Sequence, residues 1–392
     1  MSAGSRPLSG IRVIEFTHMV MGPAVGAVLA DLGAEVIRIE PIGGDKTRTL
    51  TGSGAGYFPM FNRGKKSLCL NLKSEGGKEV ARKLLEDADV LIENFRPGAM
   101  ERLGFGYEDL RRDNPRLIYC SEKGFLSGPY AHRTALDEVT QMMGGLAYMT
   151  GPPGRPLRAG ASVIDITGGM FGAIAILAAL QQRHTTGRGQ HVTASLYETT
   201  AFLVGQHMAQ QAVTGMPAKP MPVRTSAWAI YQIFETKDDE QVFVGLVSDK
   251  QWQAFCEAFG REDLKNDPDF RTNNDRVAAK DRLIPEVAAM FRALTKAELM
   301  ERLEHLGLPF APVARPADLF DDPHLAAGGL VETQLPDGRK TRLPGLPVEM
   351  DGHRLAAEGK LAAPGADTDA ILKALGYSAD EIETMKQDGT AA

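Results

Sequence analysis

The chain has 392 residues, with 44 Lys+Arg against 50 Asp+Glu and a formal net charge of −6. Hydrophobic residues make up 43% and charged residues 24%, an ordinary globular composition that excludes disorder and leaves ample mass for one large or two ordinary domains. The mildly acidic balance, without a basic block, argues against nucleic acid or an anionic membrane surface as partner.

The elements follow in chain order. Residues 12–16 (RVIEF) read as a short strand, 24–32 (AVGAVLADL) as a helix stopped by Gly33, and 35–40 (EVIRIE) as a second strand. The glycine-rich 52–56 (GSGAG) reads as a flexible loop. Further strands are predicted at 67–72, 89–95 and 117–123, with a helix over 77–87. This alternation predicts βαβ units and a mostly parallel sheet, whose sites gather at the carboxyl ends of the strands. Two long helices are predicted next, 136–149 and 164–184, then a strand at 190–196 and a helix at 197–213. The apolar stretch 170–180 is too short to cross a bilayer and reads as a buried helix.

Near 216 the proline-rich MPAKPMPVR marks a domain crossing. Runs 228–235 and 241–247 flank Lys237-Asp-Asp-Glu240 as a hairpin, with helices around 250–259 and 282–303, a smaller α+β domain. A strand-like APVAR, further β segments and helices at 368–375 and 379–386 complete the chain. The division read from this pattern is 1–219, 220–325 and 326–392.

Cys69, Cys120 and Cys256 lie far apart, which excludes a disulfide framework or a CxxC metal knuckle and points to a reducing, cytoplasmic setting. The N-terminus lacks a signal-peptide core. The turn after the first strand is not GxGxxG, and there is no GxxxxGK[ST], HExxH or GxSxG, so neither a nucleotide cofactor nor a metal is indicated. Asp165 stands apart, a carboxylate at the start of an apolar helix beside Gly168-Gly169. Helix physics gives it two readings: a first-turn carboxylate on the helix dipole, or a nucleophile that a substrate approaches closely.

Many ordered motifs decide between these readings. Leu8-Ser-Gly-Ile-Arg-Val-Ile-Glu-Phe-Thr-His18, Gly22-Pro23, Leu32-Gly-Ala-Glu-Val-Ile-Arg-Ile-Glu40, Gly44-Asp-Lys-Thr-Arg48, Asn62-Arg-Gly-Lys-Lys-Ser67, Glu93-Asn-Phe-Arg-Pro-Gly98 and Gly187-Arg-Gly-Gln190 resemble the family III (CaiB/BaiF) coenzyme A transferases over 7–385. That group includes formyl-CoA transferase and the carnitine and bile-acid CoA transferases. The resemblance implies a Rossmann-like large domain with an inserted α+β domain, a homodimer of interlocked chains, and acyl-CoA and a carboxylic acid as substrates.

It also implies Asp165 as nucleophile, passing through an aspartyl anhydride and an aspartyl-CoA thioester. The family's CoA-contacting positions match Met19, Val20, Met21, Leu70, Lys73, Asn94, Phe95, Arg96, Arg102, Lys123, Gly124 and Phe125. Val20 stands where formyl-CoA transferase has a catalytic glutamine and Phe125 where it has a tyrosine, and 216–228 lacks its glycine-run lid. These departures argue against formate and oxalate. The closer likeness is to members acting on small dicarboxylates, with succinyl-CoA as donor and itaconate or mesaconate as acceptor. Arg48, Arg224 and His18 are the side chains considered for the acid. The rival within the superfamily is an α-methylacyl-CoA racemase, whose histidine position holds Leu136, next to an Asp137 read as structural. A non-catalytic CoA-binding protein is the remaining alternative.

Overall fold

The computed structural model describes residues 6–224, 226–335 and 337–392. Six strands, β1 (Arg12–Phe16), β2 (Glu35–Glu40), β3 (Lys66–Cys69), β4 (Val90–Glu93), β5 (Ile118–Lys123) and β6 (His191–Ser195), form one sheet. All pairs are parallel and the order is β3-β2-β1-β4-β5-β6. The strands β1, β2, β4 and β5 are short runs buried on both faces, as a sheet covered by helices requires, while the edge strands β3 and β6 expose Lys66, His191 and Thr193. One face packs Ile14, Phe16, Leu68, Leu91 and Tyr119 against the helix Glu75–Glu86. The other packs Val13, Ile92, Ile118 and Cys120 against the first helix, Met21–Asp31, and the long helix Val163–Thr186.

That long helix runs 24 residues, well beyond 170–180, and is apolar and long enough to cross a membrane by composition. Its inner side is instead buried on the sheet. Gly168, Gly169 and Gly172 bring it against the first helix: a Cβ on Gly169 would stand 2.7 Å from the Met21 carbonyl oxygen. These glycines therefore serve helix packing.

Two other expectations change. The segment 136–149 is not one helix but two, Asp137–Met143 and Leu146–Thr150, broken where Gly145 takes φ +85°. Residues Gly52–Gly56 form a 3₁₀ turn, not an irregular loop.

The chain divides into two compact units, Met1–Pro222 with Pro323–Ala392, and Val223–Asp322. In the first, Ile371, Leu372, Ile382 and Ala391 from the C-terminal stretch enter the same core as β1 and β4. The second holds an antiparallel sheet of β7 (Tyr231–Glu235), β8 (Gln241–Gly245) and β9 (Phe310–Pro312), turned at Asp239. Helices Asp249–Ala258, Lys280–Arg292 and Lys296–His305 complete it around Trp252, Phe255 and Phe291.

Candidate active site

The strand order reverses between β1 and β4, and at that switch point a parallel sheet leaves a crevice beyond its carboxyl ends. A cavity of about 380 Å³ lies there, walled by the segments that leave β1, β4 and β5 and by the start of the long helix. The turn after β1 is clamped from two sides. The His18 N–H donates to Asn94 Oδ1 (3.0 Å) while Asn94 Nδ2 donates to the His18 carbonyl (2.9 Å). The Met19 N–H donates to Thr47 Oγ1 (3.2 Å), holding a non-glycine residue at φ +64°. Val20 and Met21 then turn inward, and all four residues line the cavity.

Asp165 faces this space from the first turn of the long helix. Its carboxylate is not the helix cap. That work is done from 27 residues away by buried Asp137, whose Oδ2 accepts the N–H groups of Ile164 (2.8 Å) and Asp165 (3.0 Å). Gln141 Nε2 donates to the other oxygen of Asp137 and fixes its plane. Asp165 is thus left free in an enclosed wall. Burial first, then the neighbouring Asp137 and Glu138, raises its pKa to about 7, against a weaker pull from Arg158. Arg158 is itself ion-paired to Glu138.

The other residues singled out in the sequence divide into two groups. Asn94, Phe95 and Arg96 after β4, and Lys123 and Gly124 at the end of β5, line the cavity with His18, Met19, Val20 and Met21. Lys123 is committed to Glu93 (2.6 Å) and to the Phe95 carbonyl (2.9 Å), so it braces the β4 and β5 ends against each other. Phe125 lies behind the wall, buried against Tyr130 and Tyr197. Leu70 is core and bridges to Ala391, while Lys73 and Arg102 are exposed; none of the three lines the cavity. Arg48 is turned away from it: the guanidinium pairs with Glu40 (2.6 Å), donates to the Ala362 carbonyl and lies 4.0 Å over the Phe58 ring. Arg224 belongs to the second unit.

Three further residues shape the wall, of which Glu122 falls in the 122–125 stretch matched to CoA-contacting positions, while Asp137 and Arg133 were not singled out as site residues. Asp137 acts through tertiary contact, for which a capping motif gives no local signal. Glu122 on β5 is a buried carboxyl that accepts the Cys120 thiol proton, and its pKa rises to about 8, chiefly through burial and with the repulsion of Glu93 adding to it. Arg133, in the loop before Asp137, completes the set. Among the described residues no cluster of His, Cys, Asp or Glu is arranged to hold a metal ion.

A crevice at the switch point of a parallel sheet, lined by a free carboxyl and flanking basic side chains, is the usual place of a binding or catalytic site in such folds. Residues 8–370 match the model of CoA-transferase family III, and the chain belongs to that family and is a CoA transferase. It is 39% identical over 358 residues to the acetyl-CoA:oxalate CoA-transferase of Acetobacter aceti, covering 88% of this chain and 90% of that one. It is 33% identical to the succinate–glutarate CoA-transferase of Agrobacterium fabrum, covering 98% of both. A crystal structure of a CaiB/BaiF family protein from Brucella suis superposes with a TM-score of 0.83 at 32% identity, covering 94% of this chain and 99% of that one.

Proposed function

We propose that the enzyme moves CoA from succinyl-CoA to a small dicarboxylic acid, itaconate or mesaconate among the candidates, through covalent intermediates on Asp165. The observation that carries this reading is the uncapped, enclosed Asp165 carboxyl, freed by Asp137 to do chemistry. The names of relatives that pair succinyl-CoA or succinate with glutarate support the donor and the diacid class.

In the first step an Asp165 oxygen attacks the thioester carbonyl, the C–S bond breaks, and CoA leaves as thiolate with a mixed anhydride in place. The thiolate then attacks the Asp165 acyl carbon, releasing the donor acid as carboxylate and leaving an aspartyl-CoA thioester. The acceptor carboxylate attacks that thioester to give a second anhydride and thiolate. Return of the thiolate to the acceptor's acyl carbon yields the new acyl-CoA and regenerates Asp165. Bonds of similar energy are exchanged throughout, so the protein's tasks are to align the partners and exclude water. Ionised Asp165 is the attacking form, so the rate should rise as pH passes through about 7.

Succinyl-CoA with isotope-labelled itaconate, mesaconate, glutarate and oxalate, followed by mass spectrometry, tests the reading. Labelled acyl-CoA and a CoA adduct on the Asp165 peptide are expected. Asp165→Ala with full turnover would overturn the mechanism, and the absence of label in every product would overturn the substrate class.

The same reading includes a homodimer. Outer faces of the long helix and of the helix Leu196–Thr214 carry exposed Ile174, Phe202 (72% exposed), Met208 and Val213 (86%). A second copy covering this apolar face is the reading in keeping with the family resemblance. Sedimentation at 42.3 kDa, the mass of one chain, would refute it.

A further inference from the structure

We infer that Arg133 binds the second carboxylate of the diacid, and so sets the preference for dicarboxylic over monocarboxylic substrates; this rests on the dicarboxylate reading above. A diacid at this site must bring one carboxylate to Asp165 and place the other elsewhere in the cavity. The wall is otherwise rich in carboxyl groups, with Asp137, Glu138, Glu122 and Asp165 all around the same space. A second negative charge there is unfavourable without a cation to receive it.

The basic side chains lining the cavity are His18, Arg96, Lys123 and Arg133. Lys123 is spent on Glu93. His18 and Arg96 follow β1 and β4, in segments matched to CoA-contacting positions. Arg133 stands in the loop running through Ala135 and Leu136 into Asp137, the segment that caps the helix carrying Asp165.

Its guanidinium makes no salt bridge with any described residue. It lies instead over the rings of Tyr130 (5.1 Å to the centroid) and Phe125 (5.8 Å). Those rings are themselves in edge contact at 5.7 Å, and both pack on Tyr197, giving a fixed aromatic shelf. A guanidinium held over aromatic rings keeps its N–H groups for a carboxylate, and the shelf limits the rotamer freedom lost on binding. The buried Phe125, which replaces the family's tyrosine, thus has a role as the floor under Arg133. Because donor and acceptor occupy the acyl site in turn, the succinyl group of the donor meets the same arginine.

The test is steady-state kinetics of wild type, Arg133→Met and Arg133→Lys with glutarate and with valerate, a five-carbon monoacid, alongside CoA binding by calorimetry. Arg133 is exposed, so Met keeps the stem and the fold while removing the charge. Loss of one charge-assisted carboxylate contact predicts a KM for glutarate and for succinyl-CoA higher by about 30-fold in Arg133→Met. Arg133→Lys should fall between, with the KM for valerate at saturating succinyl-CoA and the Kd for CoA unchanged. An unaltered glutarate KM overturns the inference, as does a weakened CoA Kd, which would assign Arg133 to a CoA phosphate. Wild type using valerate as readily as glutarate removes the dicarboxylate reading itself, an outcome visible before any variant is made.

Discussion

The two units fill their interiors with different materials. In the second, Trp252, Phe255, Phe270 and Phe291 meet edge-to-face or stacked, and the buried polar side chains among its described residues are Thr236 and Arg276. In the first, ions run through the interior beneath the cavity. Lys65 Nζ contacts Glu15 (2.7 Å) and the Pro23 carbonyl (2.9 Å); Arg38 joins Glu15 (3.3 Å), Asn62 (2.6 Å) and Asp45. Asp45 accepts the Thr47 N–H (2.6 Å), and Thr47 in turn holds Met19 in the cavity wall. The aromatic interior needs only to cohere. The ionic one ties the turn after β1 to the interior through directed contacts that run from Lys65 and Arg38 through Asp45 and Thr47 to Met19.

If that contrast is physical, damage in the two interiors should differ in kind even where it matches in size. Lys65→Met leaves Glu15 buried with one cation fewer and should cost about 3–5 kcal/mol in urea unfolding. Phe291→Ala in the second unit should cost a similar amount, about 3–5 kcal/mol, through a cavity. The difference appears on adding Glu15→Leu. Removal of the orphaned carboxylate should recover part of the Lys65→Met loss, whereas no partner deletion rescues the Phe291 cavity. A Lys65→Met variant within 1 kcal/mol of wild type would mean that the ionic interior is not under electrostatic constraint.

The next effect belongs to Asp165 itself. Its pKa stands near 7 in the folded chain against 3.8 for the free side chain, so between those values the native state holds a proton that the unfolded state has lost. Stability therefore falls as pH rises from about 4 to about 7, and the penalty is complete above that window. Asp165→Asn should match wild type near pH 4 and exceed it by about 2 kcal/mol near pH 8. That is roughly half the full linkage value, because the carboxyl is not wholly sealed from water. A stability gap that stays flat across this range would show that Asp165 is not held in a carboxylate-hostile wall. In the second unit no buried carboxylate exists among the described residues to give such a signature.

What the sequence discloses follows the same division. Strands such as 12–16 and 35–40 are legible because their β-branched and aromatic residues stand out as short runs, although nothing local shows that Glu15, Arg38 and Glu40 within them are buried. Asp165 stands out because a carboxylate in an apolar helix start is locally odd, while its reading as nucleophile rests on the family resemblance. Asp137 does not, because its partners lie across the fold and a capping motif is read only over three or four residues. Arg48 shows the converse error: a loop arginine beside a glycine pair looks free, yet Glu40, at the end of a neighbouring strand, captures it. The break at Gly144–Gly145 is hidden by an apolar pattern that continues across it. The glycines of the long helix are visible as residues while their purpose is not, since nothing local tells a packing glycine from one facing a ligand.

Those glycines supply the finest comparison, within one helix. A Cβ on Gly172 would overlap Glu122 Oε1 and stand 3.1 Å from Val25 Cγ2, so Gly172→Ala must displace a buried carboxyl held between strand and helix. The atoms nearest a Cβ on Gly168 belong to Met21, first the Cε end of that flexible side chain (2.7 Å), then its sulfur at 3.6 Å. Both substitutions gain about 1 kcal/mol of helix propensity. For Gly168→Ala that gain should offset the shift of Met21, leaving stability within about 0.5 kcal/mol of wild type. For Gly172→Ala overpacking of about 1–3 kcal/mol should prevail, giving a net loss near 1 kcal/mol. Pairing it with Glu122→Ala removes the overlap and leaves only the Val25 contact, so most of that loss should return. If Gly172→Ala alone is neutral in urea unfolding, Glu122 has room to move, and the wall beneath Asp165 is softer than the packing of this helix implies.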